Sequence, residues 1–231
     1  MTRVLVTGFE PFGGQAINPT ALIVEQLQSE VIQRKIKAVD IEVEVSLLPV
    51  VRGDSVDRCI QVVEHFQPDI VFMLGQASGR SAISFEKVAI NLDDFRIPDN
   101  AGNQPIDLPV AESGPAAYFT PLPIKTMMKA LAEKGVEAEI SYSAGTFVCN
   151  HLFYGISHYL AVKNQQQAKN AMCDFIHVPL LPEQVDSEQQ ITGSASLPSM
   201  PLETMVEGIV AAIMCAASFP PEQQVTAGTI N

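Results

Sequence analysis

The sequence predicts an α/β fold: a single-domain three-layer sandwich, with a twisted, mostly parallel but mixed sheet flanked by helices. Three observations carry this. β-rich runs alternate with helical spacings from Arg3 to Leu74 in the order βαβαβ. One run, Ile70 to Leu74 ("IVFML"), is continuously apolar, as a strand buried on both faces must be. Hydrophobic residues make up 47% of the 231 residues and charged ones 17%, enough apolar material for one sizeable core.

The elements follow in order. Arg3 to Thr7 is a strand closed by Gly8, and "NPTALIVEQLQSEV" begins a helix with Asn18 as N-cap and Pro19 at the first helical position. Ile41, Val43, Val45 and Leu47 alternate with other residues as a strand, and "SVDRCIQVVEHF" returns to helical spacing before Pro68. "SAISFEKVAINL" has strand parity, with Glu86, Val88 and Ile90 on one face. Asp93 to Pro123 is rich in Pro, Asn, Asp and Gly and reads as a long functional loop. Ile124 to Lys134 is a helix stopped by Gly135, Val136 to Tyr142 a strand, and Asn150 to Val162 a helix. "CDFIHVPLLP" is a further strand, "EQVDSEQQITGSASLPS" a surface loop, and Leu202 to Met214 a last amphipathic helix. Residues 1–218 form the domain and 219–231 a polar C-terminal tail.

Composition excludes several function classes. The net charge is -12 and no Lys/Arg cluster could neutralise a row of phosphates, so nucleic acid is not an expected partner. The N-terminus lacks a signal-peptide pattern and no apolar run reaches ~18 residues, so the expectation is a soluble cytoplasmic protein with no membrane partner. Cys59, Cys149, Cys173 and Cys215 are widely spaced and read as free thiols. No metal spacing such as HExxH occurs, and neither a metal nor a cofactor is expected.

One cysteine has a distinctive setting. "SAGTFVCN" places Cys149 where a small-residue turn enters a helix, so the helix end would favour a thiolate and its free N–H groups could hold an oxyanion; the bland alternative is a buried inert thiol. A nucleophilic thiol needs a base. Of His65, His151, His158 and His177, the last lies at the carboxyl end of an apolar strand, where sites of open α/β sheets collect. His151, two residues along the helix, points away from Cys149. Glu86 is a candidate orienting carboxylate, although pairing with Lys87 or Arg96 would also account for it. "TGFEPFGG" fits neither dinucleotide nor P-loop glycine spacing, and Phe9 and Phe12 could be ordinary packing or an apolar substrate wall.

Taken together, "VTGFEPFGG…NPT", "GQASGRSAISFEKVAIN", "RIPDNAGNQP", "GPAAYFTPLPIK", "SAGTFVCN" and "FIHVPLLPEQ" resemble the pyroglutamyl peptidase I family of cysteine peptidases, in the same order along most of the chain. The resemblance implies hydrolysis of the amide after an N-terminal pyroglutamyl residue through a thioester. It further implies a Glu86/Cys149/His177 triad, a ring pocket of Phe9, Phe12, Ile97, Phe147 and Val148, Gln76 positioning substrate, and Arg96 supporting the oxyanion. A homo-oligomer, a tetramer, is implied in the same way. The chain departs from the family at Phe85, where proline is usual, at Ser143 and at Phe95. Another thiol amidase or acyl transferase on this scaffold, or a nucleotide-binding domain with Cys149 incidental, are the competing readings.

Overall fold

A computed structural model of the chain describes residues 1–166, 170–185 and 197–228. The elements run β1 (Thr2–Phe9), α1 (Pro19–Leu27), α2 (Glu30–Lys37), β2 (Ile41–Leu48), α3 (Asp54–Phe66), β3 (Ile70–Gln76) and β4 (Ile83–Glu86). They continue as β5 (Val88–Ile90), β6 (Ala117–Phe119), α4 (Ile124–Ala132), β7 (Ala138–Ser141), α5 (Val148–Gln166), β8 (Met172–Val178) and α6 (Leu202–Ala217). The main sheet has the order β2-β1-β3-β8-β4-β7. Strands β2, β1, β3 and β8 are parallel; β4 is antiparallel to β8 and parallel to β7.

Strand parity sorts the core into two layers. Val4, Val6, Ile70, Phe72, Leu74 and Ile176 belong to the layer beneath α1, α4 and α6. Leu5, Val71, Met73, Cys173 and Phe175 pack with Leu152, Phe153 and Ile156 of α5 and Val63 of α3 in the other. Each fully buried Leu, Ile or Phe contributes roughly 1.5–3 kcal/mol of transfer free energy, so the sheet is held from both sides. The three-layer mixed sheet expected from the sequence is the one found.

Local differences have physical causes. The first helix is two: α1 ends at Leu27, and Ser29 in extended conformation restarts the chain as α2, which buries only Ile36. The expected strand over 81–92 divides at Lys87. Its first half stays in the main sheet as β4, and its second half leaves to pair with β6, inside what the sequence suggests is one long loop. Alternation continues through the break, so periodicity does not register it. The side chain of Asn150 pins the departing strand: its Oδ1 accepts from the Ile90 N–H at 3.0 Å, and its Nδ2 donates to Ile90 O and Leu92 O at 2.9 Å each. The start of α5 lies at Val148, not Asn150.

The tail is tied down as far as Ala227. Glu222 Oε1 accepts from the Lys125 and Thr126 N–H groups at 3.1 and 3.2 Å, and the Tyr142 hydroxyl donates to Ala227 O at 3.0 Å. The expected surface loop over 183–199 lies outside the described residues from 186 to 196. Among the described residues, no helix is long and apolar enough to cross a membrane.

Candidate active site

The carboxyl ends of β1, β3 and β8 bring together Phe9, Gln76 and His177, as open parallel sheets do for their ligand sites. Gly75 of β3 is the register partner of His177 on β8. A Cβ at Gly75 would sit 2.7 Å from two ring carbons of Phe175 and 3.0 Å from Cys149 Sγ, so only glycine lets sulfur and ring approach the strand. The Phe175 and His177 rings have centroids 4.9 Å apart. Cys149, Phe175 and His177 therefore share the α5 face of the two strand ends.

The antiparallel direction of β4 supplies the carboxylate. Ser84 is opposite His177 and Phe85 opposite Ile176, which makes Glu86 the diagonal neighbour of His177 on the same face. Glu86 Oε1 accepts from His177 Nδ1 at 2.7 Å and from Arg80 Nη1 at 2.7 Å. Arg80 also donates from Nη2 to Ser143 O at 3.3 Å, bridging the β3–β4 turn to the segment before Cys149.

Burial alone would raise the Glu86 carboxyl, but the hydrogen bond and charge of His177, with Arg80, hold it below the ordinary carboxylate range. Burial lowers His177, with Arg80 adding and Glu86 opposing. An ionised Glu86 can only accept, so the proton sits on Nδ1 and Nε2 keeps its lone pair. Nε2 makes no hydrogen bond among the described residues.

The sulfur differs from the sequence expectation of a resting thiolate. Burial pushes Cys149 up to about 12, Glu86 adds to this, and Arg80 and the residue's own N–H only partly oppose it. Desolvation outweighs the helix end, and the resting pair is a neutral thiol beside a neutral imidazole. The helix end is still open: the N–H groups of Val148, Cys149 and Asn150 find no acceptor among the described residues, the first helical bond being His151 N–H to Phe147 O at 3.0 Å. Gly145, with φ 79°, makes the left-handed turn that aims this end at the cleft.

Beside the sulfur, a narrow cleft is lined by Phe9, Phe12, Phe147 and Val148, with Val50, Asn18 and Gln76. The Phe147 ring packs against Phe95 at 4.7 Å and Phe12 at 6.1 Å. The structure thus gathers Glu86, Cys149, His177, Phe9, Phe12, Gln76, Phe147 and Val148. It does not bring in the other two: Ile97 is 39% exposed, and Arg96 is exposed, with no hydrogen bond or ion pair of its guanidinium among the described residues.

Residues 2–219 match the family described as pyroglutamyl peptidase. A pyrrolidone-carboxylate peptidase of Vibrio vulnificus is 47% identical over 230 residues, covering 100% of both chains. The chain is a member of the pyroglutamyl peptidase family. A second pyrrolidone-carboxylate peptidase, from Brevibacillus brevis, is 44% identical over 231 residues, again 100% of both. Among solved structures, a mutant pyrrolidone carboxyl peptidase from Pyrococcus furiosus superposes with TM-score 0.86 at 42% identity, over 94% of this chain and 99% of that one. Pyroglutamyl peptidase I of Bacillus amyloliquefaciens gives 0.82 at 38% identity, over 94% and 98%.

In this pyroglutamyl peptidase family member, sequence reasoning misses Arg80, a lone cation in the "GQASGR" turn at a strand's carboxyl end. That position was its only signal. It also misses a second buried carboxylate–imidazole pair. Asp93 accepts from His151 Nδ1 at 2.9 Å and from Arg52 Nε at 2.7 Å, while His151 Nε2 accepts from the Gly53 N–H at 3.0 Å. This pair fastens the 93–123 segment to α5 and to the start of α3.

Proposed function

We propose that the chain hydrolyses the amide bond following an N-terminal pyroglutamyl residue of peptides, with Cys149 as nucleophile. The observation that carries the reading is the Glu86–His177 hydrogen bond of 2.7 Å, made by the register partner of Gly75, the strand position against which Cys149 Sγ packs. The first residue of the substrate is a neutral lactam, and the aromatic lining with the amide of Gln76 suits a flat, uncharged ring.

As Sγ attacks the pyroglutamyl carbonyl carbon, the thiol proton passes to His177 Nε2, and the new imidazolium is stabilised by Glu86. The carbonyl oxygen becomes an oxyanion, held by the open N–H groups at the start of α5. Collapse breaks the C–N bond, His177 returns the proton to the leaving amine, and a thioester remains on Cys149. Water then attacks the thioester with its proton taken by His177, releasing pyroglutamate and restoring the thiol. His177, with Arg80, keeps Glu86 ionised; Arg96 and Ile97 take no step.

The same reading takes the protein as cytoplasmic and as a homo-oligomer, with the peptide, not nucleic acid or a membrane, as its partner. The four free cysteines and the net charge of -12 support location and partner, and the family resemblance supports the oligomer. The decisive measurement is dye release from a pyroglutamyl amide beside prolyl and glutamyl amides. Wild type is expected to cleave only the first, and Cys149→Ala to lose turnover with its circular dichroism unchanged. Near-wild-type turnover in Cys149→Ala, or equal cleavage of the three amides, overturns the reading; transfer to an added amine without hydrolysis would favour the acyl transferase.

A further inference from the structure

Gln76 does not stand alone at the cleft. Its Nε2 donates to Gln15 Oε1 at 2.7 Å, and its Oε1 accepts from Gln184 Nε2 at 2.9 Å. Gln184, 5% exposed, also donates to Gln15 Oε1 at 3.1 Å, so three glutamines close a ring of amides behind the pocket wall. At ordinary precision a glutamine amide can be turned over without changing its shape, and only its partners decide which end is nitrogen. Here one partner has no choice. The Leu181 backbone N–H lies 2.9 Å from Gln184 Oε1, and an N–H can only donate. The Gln184 oxygen must face it, its NH₂ must face Gln76 Oε1, and Gln76 must present its own NH₂ to Gln15. A single main-chain donor just after β8 thus sets the polarity of all three amides in succession.

This matters because a lactam is polar in the same sense. Its ring amide is held cis, so its N–H and C=O lie side by side on one edge. Gln76, with one N–H and one lone pair occupied by its glutamine neighbours, keeps one N–H and one lone pair for a ligand. Because Gln15 Oε1 and Gln184 Nε2 are themselves 3.1 Å apart, they occupy the edge of Gln76 on which N–H and C=O lie side by side, so the N–H and lone pair that remain point to opposite sides and one of them can face the ring. Gln184 decides whether that group is a donor or an acceptor, and turned over it would face the lactam with the wrong one, a buried mismatch that costs more than a missing bond gains.

We propose that Gln184 is a positioning residue for lactam recognition: through the Leu181–Gln184–Gln76 hydrogen-bond chain it fixes which way the Gln76 carboxamide faces the pyroglutamyl ring. This rests on the assignment of Gln76 to substrate under Proposed function. It places a specificity determinant on the segment after β8, outside the cleft lining.

The test reads KM and kcat for a pyroglutamyl dye amide, and Ki for 2-pyrrolidinone, a bare lactam, in wild type, Gln184→Leu, Gln76→Ala and the double variant. Gln184→Leu should raise KM and Ki about tenfold with kcat within about threefold, since the lost contact orients binding and touches no reacting atom. The double variant should be no worse than Gln76→Ala, because Gln184 acts only through Gln76. Gln15→Leu, at a half-buried position, should raise Ki in the same direction and serves if Gln184→Leu does not fold. An unchanged Ki in a folded Gln184→Leu, or losses that multiply in the double variant, overturns the proposal while Gln76 stands. An unchanged Ki in Gln76→Ala instead removes the assignment of Gln76, and the proposal with it.

Discussion

Two carboxylate–imidazole pairs lie close to Cys149 and look alike from the carboxylate side. Glu86 meets His177 Nδ1 at 2.7 Å and Asp93 meets His151 Nδ1 at 2.9 Å; both carboxylates are fully buried, and each carries an arginine at 2.7 Å. They differ at the other nitrogen. His151 Nε2 accepts the Gly53 N–H, whereas His177 Nε2 has no partner among the described residues and shares a sheet face with the sulfur. A histidine with both nitrogens committed holds segments together; one with a free lone pair can move a proton. The carboxylate does not distinguish the two roles, since in both pairs it fixes the tautomer and orients the ring.

Removing each imidazole should separate them. His177→Ala is expected to lower kcat/KM by about 10³-fold or more with little change in the unfolding midpoint. His151→Ala should do the reverse, losing ~1–3 kcal/mol in urea titration because Asp93 and Gly53 lose a buried partner, with activity much less affected. If His151→Ala silences the enzyme while folding normally, the division of labour is wrong. Asp174 is a buried carboxylate with no imidazole and, unlike Asp99, no hydrogen bond to either oxygen, the nearby Thr120 hydroxyl being engaged with Cys173 O at 3.1 Å. Burial raises its carboxyl well above 3.8, so the folded chain keeps this proton at pH values where the unfolded chain sheds it, and stability falls as pH rises above that value. Asp174→Asn should therefore gain ~1–3 kcal/mol over wild type at pH 8 and nothing near pH 3, read from urea midpoints at both. An equal effect at the two pH values would show that the carboxylate is paired after all.

The smallest effect concerns pH. His177 must be neutral to take the thiol proton, and burial, with Arg80, lowers it below 6.5. Activity should therefore be retained down through pH 6.5 and be lost only below it, and Arg80→Met should move this acid limb of kcat/KM to higher pH. A limb above 6.5 in wild type would contradict a neutral resting pair, the feature that sets His177 apart from His151.

Much of this was legible in the residues. The turn before Cys149, the apolar strand carrying His177 and the odd acid in "SAISFEK" each point to a site, and the structure joins them. Arg80 and Asp93 were not legible, because nothing local marks which of many charges will be buried. His151 reads as a bystander because it points away from Cys149, a correct local inference that leaves open what lies on its own side. The break at Lys87 escapes for a similar reason: alternation describes which face a side chain takes, not which sheet the strand has joined.

The sequence by itself determined most of the strands and helices, though not the breaks after Leu27 and at Lys87 or the strand β6, together with the order βαβαβ and the entry of Cys149 into a helix, since these follow from contacts a few residues apart. Only the tertiary structure decided the reversed direction of β4, which brings Glu86 to His177, the imidazole that keeps a free lone pair, and the neutral state of the thiol. Those depend on strand order and on burial summed over distant segments, and the half-buried thiol of Cys149 is governed by that sum more than by the helix at whose end it sits.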